Sequence, residues 1–315
     1  MQYRILFLDT NHPSLLSSLR AYGFTCDEDY LSSKEAIQNK ISNYDVIVIR
    51  SRFKIDQQFI EAATKLKCIA RAGAGMENID VVFAEQRGVK CVHAPEGNRD
   101  AVGEHAIGML LSLMNNLCRA DKQMREGKWL REANRGYELQ GKTVGVIGFG
   151  NMGSAFVKKL SGFDVKILVY DKYKTNFGTN AFEESSLADL FNHADILSLH
   201  IPLTDETNYM INDKFLSNFK KPIWLINTSR GKIIETSALV KNMECGKVRG
   251  ACLDVLEFES SSFEKMDSGK MSETIHYLIN SDNVIQSPHI AGWTFESHEK
   301  IALTLVQKIK DILND

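Results

Sequence analysis

Short apolar runs recur along this chain, and most are followed by a stretch whose apolar residues return every third or fourth position. In the first third, Tyr3–Leu8, Tyr44–Ile49, Cys68–Ala70 and Val89–Val92 read as strands. Pro13–Tyr22, Ser33–Lys40, Gln57–Leu66 and Ile79–Gln86 carry helical spacing between them. A longer helix is expected from about Asp100 to Arg119, followed by the polar stretch MREGKWLREANRGYELQ. The alternation then restarts, with strands at Thr143–Ile147, Lys166–Tyr170, Ile196–Leu199, Ile223–Asn227 and Ala251–Val255. Strands alternating with helices predict βαβ units, parallel sheets and an α/β fold in two successive parts.

The two parts differ at their first turn. The run TVGVI leads into GFGNMG, with Gly148, Gly150 and Gly153 at the spacing G-x-G-x-x-G, and a helix is expected from Met152 to Leu160. In this setting the first glycine permits a tight turn, the second admits a pyrophosphate to the backbone, and the third lets helix and strand pack closely. Amides at the helix N-terminus then face the anion. The next strand ends at Asp171, near the place, about 20 residues on, where a ribose-binding acid is expected. A carboxylate there repels a 2′-phosphate, so NAD is favoured over NADP. No such turn opens the first part.

Composition narrows the picture. Of 315 residues, 43% are hydrophobic and 25% charged, ordinary for a soluble globular protein. A net charge of -2 offers no footprint for nucleic acid or an anionic membrane. MQYRILFLDT lacks the basic start of a signal peptide and reads as a strand, and no apolar run is long enough to span a bilayer. The six cysteines lack metal-ligand spacing, so no metal is expected, and they read as reduced thiols of a cytoplasmic protein.

Three residues near strand ends can do chemistry. Arg230, in INTSRGKII, can fork onto a carboxylate or polarise a carbonyl; taken alone it is equally a surface ion-pair partner. His289, in QSPHIAGWT, follows the short strand Asn283–Gln286; an isolated histidine is more often structural than catalytic. Glu259, in CLDVLEFES, can hydrogen-bond a histidine, though a lone glutamate is usually solvated. Sequence spacing does not show that the three converge.

The order of these motifs carries a resemblance. RAGAGMENIDV (71–81), GVIGFGNMG with Asp171, HIPLTDETNYMI (200–211), NTSRG (227–231), ACLDVLEFE (251–259) and SPHIAG (287–292) together resemble the D-2-hydroxyacid dehydrogenase family over essentially the whole chain. The resemblance implies an α/β fold of two Rossmann-like domains with parallel sheets. A nucleotide domain (98–293) is inserted into a flavodoxin-like substrate domain (1–97 and 294–315), with linkers near Gly97 and Trp293 forming a hinge that closes over substrate. An amphipathic helix over 296–313, apolar at Ile301, Leu305, Ile309 and Ile312, fits a return to the first domain. The implied catalytic residues are Arg230, Glu259 and His289. His289 moves the hydroxyl proton, Glu259 stabilises and orients the imidazolium, and Arg230 holds the carboxylate and the developing oxygen. NAD is implied to lie against Gly148, Gly150, Asn151, Met152, Gly153, Asp171, Ile201, Pro202, Thr228, Ser229, Asp254 and Gly292. The family has Pro after its glutamate, and this chain has Ser260. A homodimer is also implied.

The substrate reading rests on fewer residues. Arg50, Ser51 and Arg52 in IRSRF, with Arg71, Ala72 and Gly73 in RAG, are similar to the substrate-binding segments of 3-phosphoglycerate dehydrogenases. Clustered cations suit a dianion; a solvated basic rim has the same composition. Oxidation of 3-phosphoglycerate in serine biosynthesis is therefore expected, without serine feedback through a regulatory extension. A glyoxylate or hydroxypyruvate reductase, and a non-catalytic protein that answers to NAD, are the alternatives.

Overall fold

Parallel pairing of short apolar strands organises the chain into two α/β units, seen in a computed structural model that describes residues 3–259 and 273–314. Among the described residues, the first unit takes those up to Arg99 and from Trp293 onward, and the second takes the rest. The first unit contains β1 (Arg4–Phe7), β2 (Thr25–Glu28), β3 (Val46–Ile49), β4 (Cys68–Arg71) and β5 (Lys90–His93), in the sheet order β2-β1-β3-β4-β5. This is the flavodoxin-like order. The second unit contains β6 (Thr143–Ile147), β7 (Lys166–Tyr170), β8 (Glu183–Glu184), β9 (Ile196–Leu199), β10 (Ile223–Asn227), β11 (Val248–Leu253) and β12 (Val284–Gln286). Their order, β12-β11-β10-β9-β6-β7-β8, has the switch point between β6 and β9 that defines a dinucleotide-binding sheet.

Each sheet is covered on both faces, which is why its central strands are apolar throughout. In the first unit Ile5, Phe7, Val46 and Val48 pack with Leu15, Leu19, Leu305 and Ile309. The alternate residues Leu6, Ile47, Ile49 and Ile69 pack with Ile37, Phe59 and Ala84. The C-terminal helix, Phe295–Asn314, thus completes the first unit: Ile301, Leu305 and Ile309 are buried as expected, with Leu313 in place of the half-buried Ile312. Burying each such side chain contributes about 1.5–3 kcal/mol before chain entropy is charged against it.

One expectation about the middle of the chain needs correction. The helix expected from Asp100 begins at Pro95 and ends at Met114, and a second helix runs from Leu117 to Arg125. Proline at the first helical position is preorganised for the start, and Asn116 at φ 54° breaks the continuation. Gly97, expected in a linker, lies inside this helix. A Cβ there would stand 2.6 Å from the backbone nitrogen of Ile301, so the glycine allows close packing against the C-terminal helix. The edge strands β2 and β8 are polar and went unread in the apolar pattern.

Candidate active site

The glycine turn follows β6, and its three glycines are required for three different reasons. Gly148 has φ +93°, and a Cβ on it would sit 2.4 Å from the His200 carbonyl oxygen. A Cβ on Gly153 would lie 1.9 Å from the Gly148 oxygen, closing the gap between the Asn151–Lys159 helix and the strand. Gly150 caps that helix without a side-chain hydrogen bond, and a Cβ there would meet no protein atom within 4 Å. The space beside Gly150 and the amides of Asn151 and Met152 has the character that suits a pyrophosphate. Asp171, at the end of β7, reaches back to this turn: its Oδ2 accepts the Phe149 amide at 2.8 Å and its Oδ1 the Tyr173 amide at 2.9 Å. Ile201, followed by Pro202, lies against the turn, its Cγ2 2.8 Å from the position of a Gly148 Cβ. Thr228, beyond β10, has a buried Oγ1 with no partner, a polar atom left over in a site that suits a polar ligand. The residues present fit a dinucleotide.

Beneath the turn, His200 is a structural histidine. It is buried, its Nε2 lies 2.8 Å from Ser198 Oγ, and burial pushes its pKa down to about 3, so it stays neutral.

The loops after β10, β11 and β12 carry the candidate chemistry. Ser229 Oγ donates to the Leu199 oxygen at 2.6 Å and Asn227 Nδ2 to the Arg230 oxygen at 2.9 Å, which fixes the backbone around Arg230. Arg230 Nη1 donates to the Ser229 oxygen at 2.6 Å. A Cβ on Gly231 would sit 1.9 Å from the Leu256 oxygen, so the Arg230 loop packs directly on the segment leading to Glu259. Glu259 Oε1 accepts the Leu256 amide, and its Oε2 lies 2.7 Å from His289 Nδ1. A carboxylate accepts only, so Nδ1 carries the proton in this pair, and in the neutral ring the lone pair is then on Nε2. Ser260, where the family pattern has Pro, lies outside the described residues.

Asp254 builds the turn that holds His289. Only 1% exposed, its carboxylate accepts Ser287 Oγ at 2.6 Å and the amides of Ile290 and Ala291 at 2.8 and 2.9 Å. Its carbonyl accepts the His289 amide at 2.8 Å. His289 itself sits at φ 54°, a left-handed conformation that costs a non-glycine residue about 1–3 kcal/mol and persists only where surrounding bonds impose it. Asp254, expected near the nicotinamide, is thus in the first place a loop-building carboxylate. Gly292 closes the same loop.

The first unit gives the expected substrate residues different standings. Arg52 does not offer its guanidinium to a ligand: Nη1 donates to the oxygens of Leu8 and Asp29 at 2.9 and 2.6 Å, and Nη2 to that of Ser32. Arg50 instead has its guanidinium carbon over the Trp293 ring, 4.5 Å from the centroid, within cation–π range. Ser51 lies between them. The Ala72 and Gly73 amides are committed to the oxygens of Ile49 and Arg71, so these N–H groups are not available to substrate. Gly73, without a Cβ, leaves room for the Arg71 guanidinium, whose Nη1 stands 1.6 Å from where that Cβ would be.

Sequence reasoning missed His105 and Ser287, whose side chains meet 2.9 Å apart behind the His289 loop. The available signal was a histidine on a helix face otherwise made of Val102, Ala106 and Met109. Among the described residues no helix is long and apolar enough to cross a membrane, and no cluster of potential ligands suits a metal ion.

Comparison with known proteins identifies the family. The sequence pattern of "D-isomer specific 2-hydroxyacid dehydrogenase, NAD binding domain" matches residues 107–291. A hydroxypyruvate reductase of Thermotoga maritima is 38% identical over 276 residues, 88% of this chain and 87% of the relative. A D-3-phosphoglycerate dehydrogenase of Archaeoglobus fulgidus is 32% identical over 308 residues, 97% of this chain and 56% of the relative. Among solved structures, a D-lactate dehydrogenase of Aquifex aeolicus, complexed with NAD and lactic acid, superposes with a TM-score of 0.85 at 28% identity, over 98% of this chain and 95% of that one. The chain belongs to the D-isomer specific 2-hydroxyacid dehydrogenase family, NAD-dependent oxidoreductases of D-2-hydroxy acids.

Proposed function

We propose that this enzyme reduces a small 2-keto acid of the hydroxypyruvate or glyoxylate kind to its D-2-hydroxy acid, and catalyses the reverse. The His289–Glu259 pair, 2.7 Å apart on loops fixed by Asp254 and Gly231, carries the reading. Bound at the glycine turn, NAD supplies or accepts the hydride. In reduction, His289 Nε2–H gives its proton to the forming alkoxide; in oxidation, neutral Nε2 takes the hydroxyl proton. Glu259 holds the ring in the tautomer that makes Nε2 the working nitrogen. Arg230 grips the substrate carboxylate and polarises the carbonyl. Gly150 with the Asn151 and Met152 amides receives the pyrophosphate, and Asp171 receives the ribose and disfavours NADP.

The choice of a small substrate is supported by Arg52. With its guanidinium held by three backbone oxygens, the R-S-R segment has one arginine left for a ligand, one short of the pair that suits a phosphate dianion. The Thermotoga maritima relative, similar over most of both chains, supports the same choice. A second reading, 3-phosphoglycerate oxidation in serine biosynthesis, is supported by Arg50, whose guanidinium lies over the Trp293 ring and takes no part in the carbonyl bonds that hold Arg52. A homodimer, as the family resemblance implies, in the cytoplasm, as the cysteine spacing suggests, completes the proposal; sedimentation of the purified enzyme tests the dimer. The substrate test is kcat/KM from NADH consumption with hydroxypyruvate, glyoxylate and 3-phosphohydroxypyruvate. We expect hydroxypyruvate or glyoxylate to exceed the phosphorylated acid by at least about tenfold, roughly the contribution of one charge-assisted hydrogen bond. The opposite ranking replaces the first reading with the second.

A further inference from the structure

Ser287 Oγ stands between two groups, 2.6 Å from Asp254 Oδ1 and 2.9 Å from His105 Nε2, with Met109 Sδ at 3.7 Å. His105 Nε2 is itself 3.6 Å from Asp254 Oδ1. A hydroxyl has one proton to give. The Asp254 carboxylate already accepts the Ile290 and Ala291 amides and can only accept, so the Ser287 proton points to it. A lone pair of Ser287 then faces His105, which places a proton on Nε2. The chain of donors runs in one direction, from His105 to Ser287 to Asp254, and ends at the carboxylate on which the left-handed His289 turn is built.

His105 also stands on a firm platform. A Cβ on Gly103 would lie 3.2 Å from the Ala155 backbone, so the helix bearing His105 is pressed against the glycine-turn helix. The face around it is apolar, with Ala106 and Met109 buried, and a polar group there is costly unless it is paired. The His105 side chain is 25% exposed, so packing does not by itself fix its identity; the hydrogen bond to Ser287 calls for a donor of imidazole length.

We propose that His105 is a positioning residue for the oxidoreductase reaction. Through Ser287 it fixes the Asp254 carboxylate, and through that carboxylate it holds the 287–291 loop and the His289 imidazole in place. This rests on the reading of His289 as the proton-transferring group. Loss of the donor lets the serine and the carboxylate rotate, loosens the Ile290 and Ala291 amides, and misaligns His289 for proton transfer without touching the cofactor turn.

The test uses H105L, H105Q, S287A and the H105L/S287A double variant of the full chain, with kcat, KM for hydroxypyruvate, NADH Kd and Tm measured for each. H105L should lose about 3- to 10-fold in kcat, the effect of one neutral hydrogen bond at tenfold per 1.36 kcal/mol, with NADH Kd unchanged and KM within about twofold. H105Q, which keeps an N–H donor, should recover to within about twofold of wild type. The double variant should be no slower than S287A, because the two residues act in series. Wild-type kcat in H105L, equal losses in H105L and H105Q, or additive losses in the double variant overturn the proposal. Should H105L fail to fold, H105N, too short to reach Ser287, takes its place in the same cycle. H289N separates the two levels: turnover in H289N defeats the acid–base reading, whereas an inactive H289N beside a fully active H105L defeats only the role of His105.

Discussion

After β1 the chain reads LDTNHPS, and after β6 it reads GFGNMGS. Both segments join the first strand of a parallel sheet to a helix, and both helices start with exposed backbone amides. In the first unit those amides are served from within. Pro13 has no amide to offer, His12 Nδ1 accepts the Ser14 amide at 3.3 Å, and the His12 oxygen accepts the Leu15 amide at 3.0 Å. In the second unit Gly150 has no side chain to cap the helix, and a Cβ added there would meet no protein atom within 4 Å. The difference is five residues of seven on a shared architecture, and it decides which unit binds the dinucleotide. Function here lies in the turn and not in the sheet.

The contrast continues along the other strand ends. Arg52, beyond β3, ties three carbonyls of its own unit together. Glu259 and His289, beyond β11 and β12, are paired with each other on loops fixed from below by Asp254. Substitutions at the second set should change kinetics and spare the fold; substitutions at the first should do the reverse.

His289→Asn tests this most severely. General acid–base catalysis contributes about 10²–10⁴-fold, so kcat should fall by that range while NADH Kd and Tm stay near wild type. A fall of less than about tenfold, with the variant folded, removes His289 from the mechanism.

The glycines sharpen the point within one turn. Gly153→Ala drives a Cβ to 1.9 Å from the Gly148 oxygen, and helix and strand must part. We expect a loss of about 2–4 kcal/mol in unfolding free energy, read by urea titration, at the upper end for a single substitution. Gly150→Ala meets no protein atom, so stability should hold while NADH affinity drops at least about tenfold, or 1.4 kcal/mol. If Gly150→Ala binds NADH normally, the pyrophosphate does not pass there.

Arg52→Ala is the counterpart in the first unit. It removes donors from the oxygens of Leu8, Asp29 and Ser32 and should cost about 1–3 kcal/mol of stability, with kcat/KM of the folded variant within about twofold of wild type. Kinetic loss without destabilisation would return Arg52 to the substrate. Asp171→Ala should produce a smaller change, narrowing the preference for NADH over NADPH by about tenfold as the carboxylate's repulsion of a 2′-phosphate is lost. An unchanged ratio of the two kcat/KM values contradicts that role.

Much of this contrast was legible in the sequence because it depends on local pattern. VIVI, TVGVI and IWLIN announce buried parallel strands, and three glycines after TVGVI announce a turn that no side chain can fill. The edge strand TCDE was missed because only Cys26 faces the core, so it carries no apolar signature. The start at Pro95 was missed because PEGNR has no apolar period, and only proline's fixed φ marks it. Arg50 and Arg52 are indistinguishable as letters. Their difference lies in where the oxygens of residues 8, 29 and 32 fall, which depends on how distant loops meet. The same holds for His105 and Ser287, brought together by packing of a helix from one end of the nucleotide-binding sequence on a loop from the other.

Arg50 therefore supplies the finest test of the comparison. Its guanidinium lies over the Trp293 ring, and its side chain donates to none of the carbonyls that hold Arg52. Replacing it with Ala should leave stability within about half a kcal/mol, as for a surface residue, although the lost cation–π contact can add a similar amount. With hydroxypyruvate or glyoxylate as substrate, kcat/KM should change by less than about threefold, because a short acid does not reach a second cation. With 3-phosphohydroxypyruvate, a stacked arginine that grips the phosphate is worth about 1.5–3 kcal/mol, or roughly 10- to 150-fold. The ratio of the two kcat/KM values, in wild type and in Arg50→Ala, separates the cases. A ratio that moves only for the phosphorylated acid makes Arg50 its anchor, and the first unit then takes part in recognition through a single side chain. A ratio that stays constant while both values fall makes Arg50, like Arg52, a residue of the fold. If neither value moves, the strand ends of the first unit supply architecture alone, and discrimination among substrates belongs to the loops around Arg230 and His289.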